Sequence, residues 1–156
     1  MCANYVNWIV EIRDLPETSV NRLNDYLLPL LQDKDANLWE IVYPKPKLIF
    51  NGDLPPELEE KYGRENCWYT WNYMNWWSKW CVVNSAKLKW NTLKMYIDSA
   101  REPVRPLLCK LHDSLWGYMS YYYLDEMYNF EWEFERNEKF ETVKCEQRVP
   151  DILPDE

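Results

Sequence analysis

Apolar and polar residues alternate from residue 5 to residue 13. Val6, Trp8, Val10 and Ile12 fall on one side, and Asn7, Glu11 and Arg13 on the other. Period two built from β-branched and aromatic residues predicts a strand. From Pro16 to Leu31 the spacing becomes helical, with Val20, Leu23, Leu27, Leu30 and Leu31 as the apolar stripe and Pro16 suited to the first turn. Pro29 should bend or end its last turn. Leu38 to Tyr43 reads as a short extended segment closed by Pro44 and Pro46. Lys47 to Tyr73 resembles an insertion, with an acidic helix predicted over Glu57 to Tyr62.

Trp76 to Ser85 and Lys89 to Asp98 read as two strands turning near Ser85 to Lys87. In the second, Leu93, Met95 and Ile97 alternate with Thr92, Lys94, Tyr96 and Asp98. Pro103 to Leu115 is the clearest amphipathic helix, presenting Val104, Leu107, Leu108, Leu111 and Leu115, with Gly117 as its stop. Tyr118 to Leu124 and Asn129 to Phe140 read as an antiparallel pair. The order strand, helix, strand, strand, helix, strand predicts an α+β fold: a ferredoxin-like antiparallel sheet with two helices on one face and a Trp-rich insertion. The expected organisation is a single domain over residues 1–148, an insertion at about 44–75, and a loose acidic tail at 149–156.

Composition narrows the chemistry. Of 156 residues, 47% are hydrophobic and 28% charged, which fits a folded domain able to bury its own core. Three glycines are too few for a phosphate-cradling loop or a dinucleotide fingerprint. A single histidine disfavours His-based metal sites and triads. The net charge of −8 is concentrated: Asp125 to Glu156 holds eleven acids against four bases. Long nucleic acids and anionic membranes are therefore poor partners, since both are bound through Lys and Arg.

The five cysteines, Cys2, Cys67, Cys81, Cys109 and Cys145, are odd in number and form no C-x-x-C, which predicts free thiols. No basic segment followed by an apolar run opens the chain, so the expected location is the cytoplasm.

Three constellations bear on function. Six tryptophans fall between Trp68 and Trp90. Core packing is the ordinary reading. The functional readings are a partner anchor, with Trp77 exposed and Trp76 and Trp80 buried, or a stacking pocket for a nucleotide using Trp68, Trp71 and Lys79. Cys109 and His112 lie three apart on the second helix, the spacing of a nucleophile and base, but no orienting acid accompanies them. Glu131, Glu133 and Glu135 alternate with Phe130, Trp132 and Phe134. With Asp125, Glu126 and Glu138 they predict either a solvated face or an acidic surface that meets a basic partner.

The stretch Cys67-Trp68-Tyr69-Thr70-Trp71-Asn72, followed by Asn75-Trp76-Trp77-Ser78-Lys79-Trp80, resembles the W-Y-x-W…N-W-G-T-K-W signature of the YubB-like proteins of phages and plasmids. Cys2-Ala3-Asn4, Ser99-Ala100-Arg101-Glu102-Pro103, Tyr121 to Glu126 and Phe130 to Phe134 are similar to other parts of that family, in the same order. Trp77 stands where the family usually has Gly, Ser78 where it has Thr, and Arg101 where it has Trp. The resemblance implies a ferredoxin-like domain and a mobile-element origin, and implies no activity. The expectation that follows is a non-enzymatic binding protein without cofactor or metal. Its partner is a host protein of the defence or nucleic-acid-processing machinery whose basic surface it covers; capture of a nucleotide is the alternative.

Overall fold

The computed structural model describes residues 6–33, 42–44, 68–75, 78, 81–100, 104–125 and 131–148, together with Glu57, Glu60, Lys61 and Gly63. In chain order the elements are β1 (Val6–Arg13), α1 (Glu17–Arg22), a π-helical turn (Leu23–Leu27), α2 (Leu28–Gln32), α3 (Trp68–Asn75), β2 (Cys81–Lys89), β3 (Thr92–Ser99), α4 (Arg105–Leu115), β4 (Tyr118–Asp125), β5 (Glu131–Arg136) and β6 (Thr142–Arg148). The six strands form one antiparallel sheet in the order β2-β3-β1-β4-β5-β6. The α+β class expected from the alternating periods is present.

The even side of β1 makes the core. Trp8, Val10 and Ile12 are buried together with Leu93, Met95 and Ile97 of β3, Met119 and Tyr121 of β4, and Phe134 of β5. Leu23, Leu27 and Leu31 of the first helical run and Leu107, Leu108, Leu111 and Leu115 of α4 close over them. These are the stripes that helical spacing selected, because residues three and four apart share a helix face. Two bonds fasten the helices to each other: the Ser19 hydroxyl donates to the Leu115 carbonyl, and Arg22 donates to the Ser114 carbonyl at 2.9 Å. The first helix runs on through Pro29, with the wide turn immediately before it. There the Leu28 N–H reaches the Leu23 carbonyl, and Pro29 takes a rung out of the ladder by lacking an N–H. After α4 the chain turns at Gly117, whose φ of +83° and close approach exclude a side chain: a Cβ there would lie 2.5 Å from the Arg13 carbonyl oxygen.

Three local expectations are corrected. The β2–β3 hairpin turns at Trp90-Asn91, not near Ser85 to Lys87, and β2 starts at Cys81. The first loop residue has φ +57°, a place where two-residue hairpins ordinarily use Gly, so Trp90 gave no turn signal. Within the supposed insertion, Trp68–Asn75 is helical although its apolar residues follow no clear stripe. Finally, β5 ends at Arg136 and a sixth strand follows, where the prediction ran one strand on to Phe140. In that turn the Asn137 side-chain oxygen accepts the N–H groups of Lys139 and Glu141, both at 3.0 Å. Most of the stretch 44–75 and all of the tail 149–156 lie outside the described residues.

Candidate functional site: the open face of the sheet

Among the described residues, helices cover one face of the sheet, and the centre of the other face carries none. Directly paired residues of an antiparallel ladder point to the same side. Register therefore defines three rows across β3, β1 and β4. The middle row is Tyr96, Ile9 and Tyr122, and it continues to Glu133 of β5 and Glu146 of β6. On one side lies the row Lys94, Glu11, Ser120, Glu135 and Lys144; on the other, Asp98 pairs with Asn7. Ile9, Tyr96 and Tyr122 are 38%, 43% and 36% exposed, while their neighbours Trp8, Val10 and Ile97 on the same strands are buried. Three large side chains in one exposed row are an apolar centre on a face where alternation leads one to expect polar residues.

Charge flanks that centre unequally. On the β5 side Glu133 is bridged by Lys144, and the Tyr118 hydroxyl hydrogen-bonds Glu135. The Glu133 carboxylate raises the Lys144 ammonium above its ordinary range. Glu131 behaves differently from the other two glutamates: it is 7% exposed and its carboxylate accepts the Tyr122 hydroxyl at 2.6 Å. It positions the Tyr122 ring and does not extend an exposed acidic row. On the other side the Asn84 amide donates to Asp98 at 2.7 Å, and Lys94 holds its ammonium 5.6 Å from the Tyr96 ring centroid. Two shallow depressions result. One, of about 370 Å³, lies among Asn7, Ile9, Asn84, Tyr96, Asp98 and Tyr122. The other, of about 380 Å³, lies among Glu11, Lys94, Ser120, Tyr122, Glu133 and Glu135.

Of the residues singled out by sequence, the fold brings Glu133 and Glu135 together on this face. Glu138 is exposed in the β5–β6 turn at one end of the sheet. Asp125 ends β4, its side chain outside the described ones, and Trp77, Glu126, Lys79 and the Trp68 side chain also lie outside them. Trp71 is 9% exposed, its ring edge-on to Tyr43 at 5.8 Å, and it belongs to the core. Ser78, within the Trp motif, is buried. Its hydroxyl donates to the Ala100 carbonyl at 2.9 Å and accepts the Ala100 N–H at 3.0 Å. Ser78 thus fastens the Trp-rich stretch to the segment after β3. Sequence reasoning missed Ile9, Tyr96 and Tyr122. The available signal was Ile9, an apolar residue on the polar side of the first strand.

The Cys109–His112 spacing leads to a structural bond set. His112 is buried, with Nε2 2.6 Å from the Gly117 carbonyl and Nδ1 3.1 Å from Arg136. A carbonyl requires Nε2 to donate and a guanidinium requires Nδ1 to accept, so the ring is neutral. Burial, and then Arg136, hold its pKa below the ordinary histidine value against the opposing Gly117 bond. Burial raises the Cys109 thiol. A raised thiol beside a ring with both nitrogens engaged is not an activated nucleophile. Cys81, Cys109 and Cys145 are free thiols. Among the described residues no group of three His, Cys, Asp or Glu side chains is placed to hold a metal ion, and no helix is long and apolar enough to cross a membrane.

No protein-family model, no curated protein and no solved structure matches this chain.

Proposed function

We propose that this is a non-enzymatic binding protein that covers a basic surface of another protein with the open face of its sheet. The observation that carries the reading is the exposed row Tyr96, Ile9 and Tyr122 with Glu133 and Glu135 on its flank. Aromatic residues supply buried contact energy at interfaces, and carboxylates at the rim steer a cationic partner and raise its association rate. In this reading β2-β3-β1-β4 and their two helical connections are a ferredoxin-like unit that β5 and β6 extend, and the extension adds the acidic flank. The protein is phage- or plasmid-encoded and acts in a bacterial cytoplasm. Its target is a host defence or nucleic-acid-processing protein whose Lys/Arg-rich groove is occluded. Trp71 packs into the core, so the nucleotide alternative gains no support from the described part of the Trp-rich stretch.

The test compares the protein with its Glu133→Lys/Glu135→Lys variant as bait in bacterial lysate. A captured basic protein whose retention falls with rising salt and is lost with the variant supports the reading. Retention that ignores both salt and the double reversal removes it.

A further inference from the structure

The geometry points to a slot between Tyr96 and Tyr122 that takes one arginine side chain of the partner. The inference rests on the binding reading above and names the residue type that the face recognises. Tyr96 and Tyr122 stand on the two strands that flank β1, in register with each other through Ile9. Two strand spacings separate them, about 9–10 Å. A flat group stacked against two rings needs about 7–8 Å between the ring planes. That backbone spacing leaves room for one planar group over Ile9, in the depression of about 370 Å³ that both tyrosines line. The Tyr122 hydroxyl is anchored on the β5 side by its bond to buried Glu131.

Charge selects the planar group. At the Asn7 end of the slot stands the Asp98 carboxylate, with one oxygen held by Asn84 at 2.7 Å. At the opposite end are Glu11, Glu133 and Glu135, together with the ammonium of Lys94. A nucleobase would bring its phosphate against these carboxylates. A guanidinium is flat, stays charged, stacks on aromatic faces and pairs with a carboxylate through two parallel bonds. An ammonium shares only the charge. Lys94 already holds its ammonium near the Tyr96 ring, yet it does not line the depression between the two tyrosines.

Binding of hexa-arginine, hexa-lysine and adenosine monophosphate to the intact chain tests the slot. Hexa-arginine should bind about tenfold tighter than hexa-lysine at equal salt. Tyr96→Ala and Tyr122→Ala should each bring arginine down to the lysine level, with the circular dichroism spectrum unchanged. Tyr122→Phe, which keeps the ring, should keep most of the preference, and Asp98→Asn should weaken arginine binding more than lysine binding. Equal affinities in the unaltered protein, or a preference that survives loss of both rings, would overturn the slot. If both peptides bind equally and both are lost with Glu133→Lys/Glu135→Lys, the slot fails while the wider basic-partner reading stands. If neither peptide binds, both readings fail. Tighter binding of the nucleotide than of hexa-arginine assigns the slot to a base and overturns the proposal.

Discussion

The two faces of this sheet are built from the same strands and obey different constraints. On the covered face Trp8, Val10, Ile12, Met95 and Ile97 are almost completely buried. On the open face Ile9, Tyr96 and Tyr122 occupy intervening positions and stay between a third and a half exposed. The covered side is held by volume and by satisfied polar groups at its margins, such as Ser78 with Ala100 and His112 with Gly117. The open side is held mainly by its neighbours in the ladder. Stability should therefore be concentrated on one face, and recognition on the other.

The largest expected effect tests the covered face. Leu108→Ala removes a fully buried side chain from α4 and should cost about 2–5 kcal/mol, read from chemical denaturation. An unchanged midpoint would mean that the helix does not seal the core. Next comes Ser78→Ala, which leaves the Ala100 carbonyl and N–H buried without their partner and should cost about 1–3 kcal/mol. A loss within error would free the Trp motif from this structural duty.

The third effect depends on pH. The folded-state pKa of His112 is depressed below its unfolded value, so below that value the unfolded chain binds the extra proton. This contribution to stability is fully present above the ordinary histidine pKa of about 6.5 and is lost as pH falls below it, with a slope of at most about 1.4 kcal/mol per pH unit. Denaturation between pH 7.5 and 5.5 should show the slope, and His112→Gln should remove this part of it. An identical slope in the variant would move the effect to other groups.

The smallest effects belong to the open face. Tyr96→Ala and Glu135→Lys should each change stability by about 0.5 kcal/mol or less, as surface substitutions do, while altering binding. A loss above about 2 kcal/mol for either would erase the contrast between the faces.

Parts of this contrast were legible in the chain. The period-two run of β1, the leucine stripe of α4 and the alternation of Leu93, Met95 and Ile97 marked the covered face correctly. Burial repeats with the local geometry, and the sequence records that repeat. The polar edge strand Thr142–Arg148 escaped because a strand that buries little needs no apolar alternation. The turn at Trp90 escaped because its φ is imposed by the pairing of the flanking strands, and Trp carries no turn preference. The glutamate row was legible as spacing, but the distinct role of Glu131 was not, because its partner Tyr122 comes from another strand.

What the sequence determined by itself is what one element decides alone: its period, its apolar side, and the excess of acid near the end of the chain. The tertiary structure decided which elements became neighbours. It set Tyr96, Ile9 and Tyr122 in one row although they lie far apart in the chain, and it turned His112 from a possible base into a clamp between α4 and β5. The physical reason is that register between strands is fixed by the sum of core burial and backbone pairing over the whole sheet, a quantity no single segment carries.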